Sequence, residues 1–231
     1  MGFQLNSQKS VFLYPFAVFM MVFAFAVILP ANAQTQVVPQ DDPEKMISVL
    51  SETLIQELNT QRAALEGNPE KIKAFAKMYV LPYVDTPKMA RYVMGRYWRT
   101  TTKAQQEAFE QAFTTTLMRS YSQSLLKLEI ASVIVKPQIF EKPGRVIVAS
   151  EVTQVDGNKT DVIYRTYLDK KTDLWMVYDV TVEGISMLLN YRTTYLSEFG
   201  KYGVDKVIQS MQEKNDAFNR QTKEMVVSGT L

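Results

Sequence analysis

The chain of 231 residues contains no cysteine and no histidine. Without Cys there can be no disulfide, no thiolate chemistry, no Cys-ligated metal and no lipid attached through sulfur. Without His as well, Ser-His-Asp triads, Cys-His pairs and ordinary zinc or copper sites are excluded. Acid/base chemistry is left to carboxylates, Lys and Tyr. An excess of one charge is missing too, since 26 basic residues face 24 acidic ones. That balance argues against nucleic acid as a partner, because phosphate binding needs a strong basic surplus. Internal repeats and low-complexity segments are also absent. Most hydrolase mechanisms are disfavoured by composition alone.

One long hydrophobic run is present. Val11 to Leu29 is apolar except for Tyr14 and Pro15, it follows a short polar start carrying Lys9, and it ends in Pro30-Ala31-Asn32-Ala33-Gln34. A basic start, an apolar stretch and an Ala-x-Ala site predict an export signal over residues 1–33, removed after Ala33. The run is also long enough for an uncleaved membrane anchor. Pro15, the helix-breaking Pro30 and the cleavage site favour removal. No second stretch is long enough to span a bilayer, so a soluble protein outside the bacterial cytoplasm is expected. Removing residues 1–33 takes away only Lys9 among the charges, leaving 25 basic and 24 acidic residues.

Residues 34–221 are expected to form one domain, followed by a flexible tail over residues 222–231. Asp42-Pro43 reads as a cap and a first-turn proline. Met46, Val49, Leu50, Leu54, Ile55 and Leu58 then follow at helical spacing. Gly67-Asn68-Pro69 opens a second helix to about Val80, and Asp85 or Thr86 caps a third from Pro87 to about Tyr97. Thr101 or Thr102, with Gln105 or Gln106, forms a capping box for the longest helix. On it Phe109, Phe113, Leu117, Tyr121 and Leu125 recur every four residues as one ridge.

After about Ala131 the period changes. Short strands are predicted over 132–136 and 139–141, and longer ones over 145–154, 159–169 and 174–182. Asp156-Gly157-Asn158 marks the hairpin between two of them. Helix returns near Gly184, and Gly200 and Gly203 are expected to break it before a last helix. The fold class is α+β: an antiparallel sheet of about four strands wrapped by helices.

Several residue groups suggest a ligand. The strands carry apolar residues on both faces, which fits either helices on both sides or a face lining a cavity. The Phe109–Leu125 ridge reads as core before it reads as part of a ligand box. Lys88, Arg91, Arg96 and Arg99 could clasp a phosphate or simply be solvated. Asp179 and Glu183 are the only carboxylates placed to form a catalytic pair, and nothing nearby in sequence supplies a nucleophile.

Two segments carry a family resemblance. The first runs Leu81-Pro82-Tyr83-Val84-Asp85, Met89-Ala90, Val93-Met94-Gly95-Arg96-Tyr97-Trp98-Arg99, Gln105-Gln106 and Phe109 to Phe113. The second runs Tyr178-Asp179-Val180-Thr181-Val182-Glu183-Gly184-Ile185-Ser186 and on through Asn190-Tyr191-Arg192. Together they resemble the Mla-type, or toluene-tolerance, periplasmic phospholipid-binding proteins, the MlaC family. The resemblance implies a sheet wrapped by helices, an apolar lipid pocket between sheet and helices, and no catalysis. It also implies phospholipid as cargo with no cofactor. The implied partners are an outer-membrane lipoprotein–porin complex and an inner-membrane ATP-binding-cassette transporter with an MCE-domain ring, met by a monomer. The cargo pathway would maintain outer-membrane lipid asymmetry. An exported adaptor of the envelope without lipid cargo is the alternative.

Residues shared by these motifs and the apolar faces are the expected pocket lining. From the helices they are Val84, Met89, Tyr92, Val93, Trp98, Phe109, Phe113, Leu117 and Tyr121. From the sheet and its exit they are Val146, Val148, Ile163, Tyr164, Tyr167, Val177, Val180, Val182, Ile185 and Leu188.

Overall fold

Each early helix begins where its cap residues dictate. In the computed structural model, which describes residues 37–127 and 129–227, the Asp42 carboxylate accepts from the Lys45 N–H at 2.9 Å. Pro43 then starts α1 (Pro43–Leu65), its missing N–H costing nothing in a first turn. Asn68 caps α2 (Pro69–Tyr79) through the Lys71 N–H at 3.1 Å, and Asp85 caps α3 (Thr86–Met94) through the Lys88 N–H at 2.8 Å. The capping box of α4 (Lys103–Lys127) is reciprocal: Gln105 N–H donates to Thr102 Oγ1 at 3.2 Å, and Thr102 N–H to Gln105 Oε1 at 2.9 Å.

The expected third helix ran on to Tyr97. It stops instead at Met94, and a 3₁₀ turn, Gly95–Arg99, continues to α4. Gly95 causes the stop, with φ +54° and ψ −118°, a region L side chains avoid. Space is short as well, since a Cβ there would meet the Arg192 guanidinium at 3.0 Å. That guanidinium donates to the Tyr92 carbonyl near the end of α3 and stacks 4.6 Å over the Tyr92 ring. A cation on the last carbonyls of a helix also complements its dipole. We expect Gly95→Ala to cost about 2–3 kcal/mol through backbone strain and loss of this clamp. Urea unfolding checks it, and an unchanged midpoint would remove the clamp from the account.

The sheet is antiparallel throughout. Its strands are β1 (Ile130–Val135), β2 (Ile139–Lys142), β3 (Arg145–Gln154), β4 (Lys159–Asp169), β5 (Leu174–Val182) and β6 (Ile185–Ser186). The order is β1-β3-β4-β5-β6, with β2 also paired to β3. The four long strands carry the meander, and β2 and β6 are short additions. Helices α5 (Met187–Tyr202) and α6 (Val204–Val227) complete the described residues. Gly200 lies within α5, so only Gly203 breaks the pair, and α6 covers residues 222–227 of the expected tail. The predicted export signal, residues 1–33, and residues 228–231 lie outside the described residues.

A β-bulge decides which face each β5 side chain takes. Thr166 pairs with Val177, and Arg165 pairs with Asp179, so one β5 residue is extra. Strict alternation would put Val177 and Val180 on opposite faces. The bulge brings both to the face of Thr166 and Tyr164. There α1 packs Met46, Ile47 and Leu50 against Val146, Val148 and Val177. Each such buried side chain contributes about 1.5–3 kcal/mol.

A second core lies among α3, α4, α5 and α6. Phe109 and Phe113 are fully buried and meet Tyr195 edge-on at centroid distances of 5.6 and 6.3 Å. Phe199, Met94, Val93 and Met211 close around them. Phe109 and Phe113 of the α4 ridge thus pack on α5 as protein core. Burial first, then the Glu198 charge, pushes the Tyr195 phenol up to about 12. A third cluster joins Leu58 and Leu65 of α1 to Phe75 of α2.

Candidate functional site

Between that third cluster and the helices α4 and α6 lies a cavity of about 300 Å³, at the lower end of the range for small-molecule pockets. Its walls follow from the cap positions. The Asn68 cap turns α2 back along α1, so Ile72, Phe75 and Ala76 face Leu54, Leu58 and Leu65. The turn Leu81–Tyr83 then brings Val84 and Thr86 to one end, fixed by the Asp85 N–H donating to the Val177 carbonyl at 2.9 Å. Leu117, Met118 and Tyr121 of α4, with Phe218 of α6, form the opposite wall.

Three of the polar lining residues, Asn215, Arg119 and Tyr121, are engaged by the protein itself. Asn215, 4% exposed, donates to the Ala112 carbonyl at 3.0 Å and accepts from Thr116 Oγ1 at 3.3 Å. Both polar atoms of its amide are thus bonded within the α4–α6 seam. Arg119 donates to the Lys214 carbonyl at 3.4 Å. Tyr121 has its phenol held above the usual range, by burial first and by a hydrogen bond with Tyr191 second. Nothing in this lining resembles a nucleophile with its base.

The expected pocket residues separate into distinct places. Val84, Leu117 and Tyr121 line the cavity. Met89, Val93, Phe109, Phe113 and Leu188 are buried in the core of α3 to α6, with Trp98 packed against it. Val146, Val148 and Val177 are buried under α1, with Tyr164 and Val180 beside them. Val182 lies half-buried on the same face, paired with Val162. Ile163 lies on the opposite face of the sheet, and the Tyr167 hydroxyl donates to the Asp85 carboxylate. Tyr92 and Ile185 face solvent, 46% and 65% exposed.

The lining of this cavity comes from helices and the turn before α3. Among the lining residues not foreseen are Leu54, Leu58 and Leu65 of α1, Ile72, Phe75 and Ala76 of α2, and Phe218 of α6. Their only sequence signal is that α2 is too short and one-sided to cover more than one face.

The carboxylates considered for catalysis serve the fold. Asp179, 4% exposed, accepts from Ser186 Oγ at 2.8 Å and from the Leu188 N–H at 3.1 Å. Glu183 accepts from the Asp161 N–H at 3.0 Å. The two point at different partners and form no pair. Among the described residues, no group of three or more Asp or Glu could hold a metal ion, and no helix is long and apolar enough to cross a membrane.

A helix-walled cavity with an apolar lining and no reactive constellation defines a binding protein for an apolar ligand. The profile of one family, described as MlaC protein, matches residues 48–213. The chain belongs to the MlaC family. It is 22% identical over 192 residues to the intermembrane phospholipid transport system binding protein MlaC of Haemophilus influenzae, covering 82% of this chain and 87% of that one. It is 24% identical over 164 residues to toluene tolerance protein ttg2D of Pseudomonas putida, covering 71% and 75%. Its fold is that of the phospholipid-binding protein from Ralstonia solanacearum, solved in complex with a phospholipid. There the TM-score is 0.70 at 22% identity, over 77% of this chain and 99% of the other.

Proposed function

We propose that this protein is a soluble periplasmic phospholipid carrier, exported by residues 1–33 and monomeric at work. It moves lipid between an outer-membrane lipoprotein–porin complex and an inner-membrane ATP-binding-cassette transporter with an MCE-domain ring, and so maintains lipid asymmetry. It is not an enzyme and uses no cofactor; phospholipid is cargo. The observation that carries this reading is the apolar cavity among α1, α2, α4 and α6 in a chain of the MlaC family.

The physics of the cargo explains why a protein is needed. Each methylene leaving water gains about 0.8 kcal/mol, so two ordinary acyl chains gain more than ~20 kcal/mol. Crossing an aqueous gap unaided is prohibitively slow. A carrier must offer a lining nearly as apolar as a bilayer, so that loading and unloading are both close to neutral. Lining groups such as Asn215, whose polar atoms are already bonded to the protein, meet that requirement. With few polar anchors, headgroup discrimination is weak and release depends on docking.

The test is organic extraction of the purified chain without residues 1–33, followed by mass spectrometry of the extract. Phospholipid in near-stoichiometric amount, mixed in headgroup, is the expected result. Folded protein that extracts empty would overturn the carrier reading and favour an envelope adaptor.

A further inference from the structure

A second feature lies apart from the cavity. From Thr86 to Gln106 the chain carries Lys88, Arg91, Arg96, Arg99 and Lys103 with no acidic residue, although the whole sequence is nearly neutral. Lys88, Arg91 and Tyr92 share one side of α3, spaced three and four residues apart. Arg192 of α5 joins them by stacking on Tyr92.

These cations sit on rings. Arg91 stacks on Trp98 at 6.0 Å, Arg96 on Tyr97 at 5.1 Å and Arg192 on Tyr92 at 4.6 Å. Lys88 lies 3.2 Å over Tyr167, and Arg145 lies 5.0 Å over Tyr178. Within this stretch Lys103 pairs with Glu107 at 3.4 Å, and the other ion pairs seen are on Lys136, Lys159 and Arg165. The Asp85 carboxylate at the start of α3 is engaged by the Tyr167 hydroxyl and the Lys88 N–H. A ring face orients a cation while leaving donors for an outside anion.

The cavity does not use this face. Val84 and Thr86 of the turn into α3 line the cavity, whereas Asp85 and Lys88 turn to Tyr167. A seat for the headgroup of cavity-bound lipid is therefore not what the cations form. Exposed apolar groups accompany them: Tyr92 is 46% exposed, and Leu189, one turn before Arg192 on α5, is 54% exposed. Cations, amphipathic aromatics and an exposed Leu together suit the headgroup layer of a membrane. A purely acidic protein surface would leave Leu189 and the ring edges unmatched.

We propose that the face formed by α3, the turn Gly95–Arg99 and the first turns of α5 docks on an anionic phospholipid bilayer. Arg91, Arg96, Arg99 and Arg192 meet lipid phosphates there, and Tyr92 and Leu189 enter the interface. The face would hold the carrier at a membrane surface with the cavity to one side. This reading is independent of what the cavity contains.

The test is co-flotation of the purified protein with vesicles of phosphatidylcholine alone, or with an equal share of phosphatidylglycerol. Binding to the anionic vesicles alone, falling as salt rises, is expected. Combining Arg91→Gln, Arg96→Gln and Arg99→Gln should weaken partition by about fivefold for each Arg, about a hundredfold in all. All three are exposed, and circular dichroism checks the fold. Lys201→Gln, Lys206→Gln and Lys214→Gln together remove the same charge from exposed positions on α5 and α6 and should leave partition nearly unchanged. An equal loss in that control would overturn the proposal, as would no preference for anionic vesicles. Wild-type protein bound by soluble polyglutamate but not by vesicles would overturn it in favour of an acidic protein partner.

Discussion

Protein carrying Ile72→Asp and Leu117→Asp should fold and retain less than about a tenth of the wild-type phospholipid on purification. The two side chains line the cavity from α2 and α4, and both are half-buried, so the native fold can accept some polarity there. A carboxyl facing an acyl chain must either stay charged in an apolar space or take up a proton. Even the neutral form costs about 2 kcal/mol when unpaired. Two such groups remove about 4 kcal/mol from the retention of lipid, about a thousandfold in affinity. Ala76→Trp is the uncharged companion, placing an indole in the same space. Phe113→Leu is the contrast. It lies in the core of α3 to α6, so it should cost about 1 kcal/mol or more of stability while lipid stays bound. Lipid quantified in extracts, beside thermal melts, separates these outcomes. A folded double-Asp variant with undiminished lipid would place the cargo outside this cavity.

That contrast marks where the sequence could be read and where it could not. Helix starts were legible because caps act locally: Asp42, Asn68, Asp85 and the Thr102–Gln105 box all bond within three residues. The 145–154 and 159–169 strands were legible because the turn at Asp156-Gly157-Asn158 sets their register. The end of α3 was not, since Met89, Tyr92, Val93 and Tyr97 keep a helical period straight through Gly95. Nor were the β5 faces, because a bulge leaves no mark in the apolar pattern.

The cavity itself was illegible for a different reason. An apolar side chain lining a space and one packed in a core follow the same period. What distinguishes them is how closely a helix distant in sequence approaches. Phe109 and Phe113 became core because Tyr195 and Phe199 meet them. Leu117, one turn further along α4, became lining because α2 and α6 leave room there. The four-residue repeat drew attention to the right helix and was silent on where along it the packing opens.

Asp179→Ala should be the most destabilising single change at the strand-to-helix junction, by about 3 kcal/mol. The carboxylate is buried and accepts from Ser186 Oγ at 2.8 Å and the Leu188 N–H at 3.1 Å, with Arg165 Nε at 3.9 Å. Truncation leaves those donors without their acceptor in a buried position, and the penalty of the orphaned groups exceeds the net worth of the bonds. For a domain of this size the melting temperature should fall by about 6–12 °C. Ser186→Ala removes only the hydroxyl that caps α5 and should cost about 1 kcal/mol. Asp179→Asn keeps an oxygen for the Leu188 N–H, and Ser186 Oγ can turn to accept from the new amide, so its loss should be smaller than that of Asp179→Ala. The carrier reading requires that Asp179→Asn hold as much lipid as the wild type, whereas a carboxylate used for chemistry would show Asn to be as damaging as Ala. Melts of the three variants with lipid-to-protein ratios decide it, and an Asp179→Ala protein as stable as the wild type would remove Asp179 from the account of how β5 is joined to α5.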